Sequence, residues 1–499
     1  MTAPIPAIRL RHLNDAPLHT GRDYVLYWMI AQRRLTHSFA LQHAANLARN
    51  LNKPLVIFEP LRVGYRWASD RHHRFIIDGM RDHAAALAAL PHITYYPYVE
   101  PALDADKGLL AQLAARACVV VTDDYPASFI PHMLASAARG LTSTRLDAVD
   151  SNGLLPLRAV DRVYTTAASF RLGLHKTLPA HLKDAPLPDP LAGLDPALKL
   201  ALGALDPVTS RWPAASSTLL HDRSPAQLAH LPIDHAVKIA EEGGPRAAQA
   251  RLDRWLARGF TEYHISRNEP DSPAPTGLSP HLHFGHISAH DLFARVMDRD
   301  RWTPAKIAPK PSGSREGWWG ASAHVEAFLD ELITWREIGY NMAAHAPDQL
   351  ESFDSLADWI KETIQAHAED KRDHVYSLAA LEAAKTHDKL WNAAQLQLVH
   401  EGRIHNYLRM LWGKKILEWT SHPTVALNVM VELNNKYALD GRDPSSYSGI
   451  FWCLGRYDRG WTERPITGKL RYMSSDNTRK KIKVEPYIAR WYKAAAASL

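Results

Sequence analysis

Residues 401–419, EGRIHNYLRMLWGKKILEW, with VELNNKYALDGRDP (431–444) and FWCLGRYDRGWTERPITGKLRYM (451–473), decide how the chain is read. A helix carrying His405, Asn406, Arg409, Met410, Trp412 and Trp419 is costly as plain core, because Arg and Asn are rarely buried without a partner. A large flat ligand with polar edges satisfies both the aromatic and the polar residues. Downstream, between Gly455 and Lys493, eleven Lys/Arg stand against four acids, a local excess of +7. Such a field beside aromatics suits a polyanion, and a solvated surface accounts for the charge equally well.

Working outward, the second half is helical from Gly244 on, with apolar periodicity at 245–260, 288–297, 324–342, 377–385 and 390–420. Residues 179–215 hold repeated prolines and read as a connector, with a short helix at 196–204 as one option. The first 150 residues alternate apolar strands (24–30, 54–60, 93–99, 117–124) with helical stretches, which predicts an open, mostly parallel α/β sheet. The expected division is 1–155 (α/β), 156–243 (connector) and 244–499 (all-α).

The 499 residues are 46% hydrophobic and 22% charged, as in an ordinary globular protein, with a net charge of +6. Cys118 and Cys453 lie far apart and form no CxxC, so a reducing cytosol is expected. The opening MTAPIPAIRLRHLNDAP lacks the apolar core of a signal peptide. No run reaches the roughly 18 apolar residues of a membrane span. No GxGxxG or GxxxxGK[ST] follows a strand, which disfavours a standard dinucleotide or nucleotide-triphosphate site. TDDY (122–125) lies where such sheets bind ligands, or is a polar loop. PTGLSPHLHFGHIS (275–288) offers Thr276 and Ser279 to a phosphate, or a simple Ser cap before Pro280. His281 and His283 lack a third ligand at metal spacing, so no metal is expected. ELITWREIGYN (331–341) sets Glu331, Trp335 and Arg336 near one helix face, as a surface pair or as contacts to a planar ligand.

Together, TGLSPHLHFG, ELITWRE, LWNAAQLQLVHEGRIHNYLRMLWGKKILEW, LNNKYALDGRDP and GWTERPITGKLRYM resemble the photolyase/cryptochrome superfamily, and most closely the class II cyclobutane-pyrimidine-dimer DNA photolyases. The likeness covers about Tyr263 to Met473. It implies a photolyase fold: an α/β antenna domain followed by a helical domain that holds FAD, reduced in the active state. Under it, Tyr263, Thr276, Leu278, Ser279, Arg336, Asn406, Arg409, Asp440 and Asp443 match flavin contacts. Asn434 matches the residue beside the flavin N5. Glu331, Trp335, Met410 and Trp452 match the wall that receives a flipped dimer, and Trp391, Trp412 and Trp419 the electron-transfer chain. Arg267, Asn268, Arg456, Arg459, Trp461, Arg464, Lys469 and Arg471 are the DNA-binding candidates. The expected partner is UV-damaged DNA, met by a monomer in the cytoplasm (at the nucleoid in a prokaryote).

The chemistry agrees with the resemblance. Splitting a cyclobutane ring needs an electron donor, which a cofactor supplies. A buried carboxyl at Glu331 is suited to steady negative charge on the pyrimidine carbonyls. By spacing alone, the three tryptophans read as core. The first strand–helix turn is AQRRLTHSFAL, with His37 and Ser38, and selects neither an 8-hydroxy-deazaflavin nor a folate antenna. The basic loop at 301–320 touches DNA or is a mobile insertion. Alternatives are a cryptochrome-like photoreceptor without repair, a (6-4) photoproduct enzyme that uses His405, and a flavin- or nucleic-acid-binding structural protein.

Overall fold

The computed structural model describes residues 3–496. The backbone groups into two compact units. The first runs from the N-terminal end to Val160 and takes in Leu178–Ala250 and Leu278–Arg295. The second holds Asp161–Thr177, Arg251–Gly277 and the described chain from Val296 onward. Of the stretch expected as a connector, 161–177 packs in the second unit and 178–243 in the first. No helix forms at 196–204; the nearest is the short Asp206–Thr209.

The first unit is built on a six-stranded sheet of β1 (Leu10–His12), β2 (Tyr24–Trp28), β3 (Leu55–Leu61), β4 (Thr94–Val99), β5 (Ala117–Asp123) and β6 (Leu146–Val149). The order is β1-β6-β5-β2-β3-β4. Only β1 runs antiparallel to its neighbour. All five residues of β2 are buried, the signature of a parallel strand covered on both faces. Strands β1 and β6, with three and four residues, are too short to announce themselves by alternation.

The strand order reverses between β2 and β5, and TDDY sits there. Asp123 is consumed within the fold: Oδ2 accepts from the amides of Ile30, Ala31 and Gln32, and Oδ1 from the Tyr27 hydroxyl. Asp124 pairs with Arg158 at 2.8 Å. The two carboxylates clamp the strand ends together. Ser38 caps the Phe39–Leu51 helix, accepting from the Leu41 amide.

The second unit is helical. The single helix expected over 390–420 is two, Lys389–Glu401 and Asn406–Glu418. Gly402 ends the first in a left-handed cap, φ 74°. The helix expected over 324–342 also changes character: Ala323–Leu329 is regular, Asp330–Trp335 is a π turn, and Arg336–His345 is regular again. The core gathers Trp391, Leu398, Leu408, Trp412, Ile416, Trp419, Met430 and Phe451. The 301–320 loop is pinned rather than free. Trp318 stacks on His175 at 3.9 Å, and His175 Nδ1 accepts the Ser312 and Gly313 amides. Burial and then Arg171 lower the His175 pKa to about 4, so it stays a neutral acceptor.

Candidate active site

The π turn sets the first group of side chains. The Arg336 amide donates to the Glu331 carbonyl five residues back. Both ends of this widened turn carry expected site residues, and such turns recur at functional sites. Glu331 keeps a side chain about 30% exposed, 3.5 Å from Arg267. Burial pushes its carboxyl above the ordinary value, while Arg267 pulls the other way. Arg267 also donates to the Ala327 carbonyl and lies over the Tyr263 ring. It is tied to Glu331, while Asn268 beside it is exposed.

Arg336 is buried, with its guanidinium 4.3 Å from the Tyr340 ring centroid. Its Nη2 donates to the Tyr340 hydroxyl, which donates to Asp443 Oδ2 at 2.8 Å. Asp443 is also the N-cap of the Pro444–Cys453 helix, accepting from the Ser445 amide and hydroxyl. Arg336, Tyr340 and Asp443 therefore form one relay.

On the Asn406–Glu418 helix, Asn406 is exposed in the first turn and Arg409 reaches Asp440 at 2.9 Å. Among the described residues, the buried Arg409 Nε has no hydrogen-bond partner. Asn434, from the Pro423–Tyr437 helix, is 2% exposed. Its amide nitrogen donates to Asn435 Oδ1 and Ser446 Oγ, which leaves the carbonyl oxygen as its acceptor. The Arg442 amide donates to Asn435 Oδ1. Asn434 and the DGRD loop thus share one hydrogen-bonded scaffold.

The three tryptophans are fully enclosed, and Trp391 is the link between the others. Its Nε1 donates to the Trp412 carbonyl at 3.0 Å, and its ring meets Trp419 edge-on at 5.7 Å. The Trp412 indole donates to Gln395 Oε1 at 2.8 Å. Beyond Trp419 lie the rings of His387, at 5.0 Å, and Tyr376, at 5.7 Å.

Among the DNA candidates, Arg459, Trp461, Arg464 and Lys469 are exposed. Arg471 is half-buried on Asp458, which it grips with two nitrogens. Arg456 does not join them. It is buried over the Phe451 ring at 3.6 Å and bonded to Ser355, because its position right after the 444–453 helix turns it inward.

Ser279 is the first residue of a five-residue helix rather than its cap; Leu278 takes the cap position without a side-chain bond. Leu278 and Ser279 belong to the first unit, Tyr263 and Thr276 to the second. Gly277 has φ +64°, and a side chain there would collide with the guanidiniums of Arg251 and Arg403. Sequence reasoning missed these two arginines, Tyr340, Gln395 and Lys414. Tyr340 and Lys414 carry a signal, each lying four residues beyond an expected site residue, Arg336 and Met410.

No protein-family model matches the chain. A deoxyribodipyrimidine photo-lyase of Methanothermobacter thermautotrophicus is 33% identical over 487 residues, covering 97% of this chain and 98% of the relative. The chain belongs to the deoxyribodipyrimidine photo-lyase family. The rice photo-lyase is also 33% identical, over 93% of this chain and 87% of its own. The photo-lyase of Potorous tridactylus is 30% identical over 95% and 82%. A crystal structure of a class III photolyase from Agrobacterium tumefaciens has the same fold, with a TM-score of 0.65 at 18% identity over 94% of this chain and 86% of that one. The chain is thus an enzyme of the photolyase kind, with a mostly parallel sheet in one unit and helices in the other. Among the described residues, no helix is long and apolar enough to cross a membrane, and no group of His, Cys, Asp or Glu is placed to hold a metal.

Proposed function

We propose that this photolyase is a class II enzyme that splits cyclobutane pyrimidine dimers in UV-damaged DNA, using light and a reduced FAD. The observation that carries the reading is the convergence of Arg336, Tyr340, Asp443, Arg409, Asp440 and Asn434 in one unit. They form three hydrogen-bonded groups, Arg336–Tyr340–Asp443, Arg409–Asp440 and Asn434–Ser446. The donor set fits a flavin: Arg409 Nε is buried and unpaired, and Asn434 retains only an acceptor. When bound and excited, the flavin supplies the electron that opens the cyclobutane ring.

The protein's own residues do the rest. Asn434 Oδ1 would accept a hydrogen bond from a flavin N5–H, which the oxidised ring lacks, and so would favour the forms that carry that proton. Arg409, Arg336 and Asp443 orient the polar edge, with Tyr263 and Thr276 toward the phosphates. Glu331, whose carboxyl burial pushes above its ordinary value, would in its protonated form donate toward the dimer carbonyls. Trp335, Met410 and Trp452 press flat or polarizable surface against a puckered, poorly stacked lesion; photolyases are among the base-flipping enzymes, and a damaged base is the cheaper one to extrude. Trp412, Trp391 and Trp419 form the path for electrons that restore the reduced cofactor. Arg459, Trp461, Arg464, Lys469 and Arg471, with Asn268, grip the DNA backbone. Residues 1–155 serve as the antenna domain, carrying a deazaflavin or a folate, and the protein works as a cytoplasmic monomer.

The test is the dimer content of a UV-irradiated thymine oligonucleotide incubated with the purified enzyme and reductant. Blue light should remove the dimers and darkness should preserve them. Dimers that survive both conditions overturn the proposal.

A further inference from the structure

Lys414 is a charged residue with no assigned task. It lies one helical turn beyond Met410, on the same face of the Asn406–Glu418 helix. It is 2% exposed, and among the described residues its Nζ has no hydrogen-bond or ion-pair partner. What it does meet is the Trp452 ring, whose centroid is 5.1 Å from Nζ. An ammonium shut away without a carboxylate is among the more expensive things a protein can bury, and a leucine or methionine would fill the volume without that cost. Its retention calls for a use.

The neighbours narrow that use. Cys453, from the helix carrying Trp452, is held as a neutral thiol, burial pushing it up to about 11. Asp458, the acid within electrostatic reach, is already gripped by Arg471. Arg471 also addresses the Trp452 ring, at 5.6 Å, and the Trp461 ring, at 4.1 Å. Arg459 in turn lies over Trp461 at 5.0 Å. Cations and indoles therefore alternate from buried Lys414 through Trp452, Arg471 and Trp461 to exposed Arg459. Next to its buried end stands Trp452, the side chain read as the wall of the lesion pocket.

We propose that Lys414 is a positioning residue that fixes the indole of Trp452 for recognition of the dimer. This rests on the reading of Trp452 as pocket wall. A desolvated ammonium against a tryptophan face is the strong form of the cation–π contact, and it restrains the ring without touching the substrate. Recognition then depends on one proton. Burial lowers the Lys414 pKa to about 8, with Cys453 and Asp458 raising it and Arg471 lowering it further. Raising the pH through that value removes the charge and releases the ring.

The experiment measures binding of the flavin-loaded full-length protein, in the dark, to a dimer-containing oligonucleotide and to its undamaged counterpart, between pH 7 and pH 9.5. For the wild type, preference for the dimer should fall as pH rises through about 8. Lys414→Met should lose about tenfold of that preference at pH 7, the scale of a buried cation–π contact, and lose its pH dependence. Lys414→Arg, which cannot be deprotonated in this range, should keep the preference at pH 7 and retain it at pH 9.5. A flat wild-type profile, or wild-type preference in Lys414→Met, overturns the proposal. The wild-type titration needs no variant to fold. Trp452→Phe separates the two levels: if it leaves dimer preference intact, the pocket reading itself fails. If it removes the preference while Lys414→Met does not, only the role of Lys414 fails.

Discussion

Glu59 in the first unit and Lys414 in the second are both shut away from water, and their surroundings differ completely. Glu59 is met by Arg33 at 2.9 Å, His83 at 2.8 Å and the Tyr95 hydroxyl at 2.6 Å. Burial alone would raise its carboxyl pKa; His83, Arg33 and Tyr95 outweigh that and hold it at about 2. Arg74 with Asp78 and Arg9 with Asp150 are likewise buried ion pairs in the first unit. In the second unit, among the described residues, Lys414 has no carboxylate at ion-pair distance, Glu331 has one guanidinium at 3.5 Å, and the Arg409 Nε has no hydrogen-bond partner. Where charges are fully answered within the chain, they serve the fold. Where they are left short, the fold alone does not account for them.

The largest effect should come from the uncharged interior of the second unit. Trp412→Phe is expected to reduce photoreduction of the flavin to background, while repair persists once the cofactor is reduced chemically. Absorption spectra under blue light and a repair assay with dithionite check both halves. Photoreduction at the wild-type rate would remove the tryptophan row from the second unit's ligand chemistry.

Next in size, Glu59→Gln should destabilise the protein by about 3 kcal/mol, the cost of stripping one partner from a buried charge group. Chemical denaturation measures it. Because the Glu59 pKa is depressed from 4.5, its stabilisation is present above that value and drains away as pH falls toward about 2. The Gln variant should therefore show a shallower acid limb. Equal stability would erase the contrast between the units.

Asp443→Ala is expected to cost about 1 kcal/mol as a lost cap, and to weaken flavin retention by releasing Tyr340 and Arg336. Thermal melts and the flavin:protein ratio after dialysis report the two effects. The smallest change should follow Glu331→Gln. Its stability should stay within about 0.5 kcal/mol of wild type, since an exposed pair contributes little, while the light-driven repair yield drops. A large loss of stability there would return Glu331 to the structural class of Glu59.

These differences in surroundings mark what was legible beforehand. The long apolar strands β2 to β5 announced the sheet, because burial on both faces leaves a continuous run in the sequence. The edge strands β1 and β6 did not, being set by pairing with their neighbours rather than by their own pattern. The 390–420 periodicity ran on through Gly402, since helical spacing persists across a break that only a left-handed residue reveals. Arg456 counted as one more cation in a basic segment, and only the packing over Phe451 shows it facing inward. Lys414 was hidden for the converse reason: a lysine beside a lysine reads as surface, whereas both are enclosed, and nothing in the letters tells that Lys415 meets Glu418 while Lys414 meets an indole.

The wide turn at Asp330–Trp335 has a consequence for the chain's tolerance of a deletion. A helix that bonds Arg336 to Glu331 across five residues holds one residue more than a regular turn requires. A bulge of this kind accommodates one extra residue within an otherwise regular helix. Each helical residue advances the chain by about 100° around the axis. Deleting one codon here should therefore leave a foldable helix with every later side chain still in phase with its packing, while Glu331 swings off the face it shares with Trp335. Library selection for soluble protein would pass such deletions, and selection for survival after ultraviolet exposure would reject them.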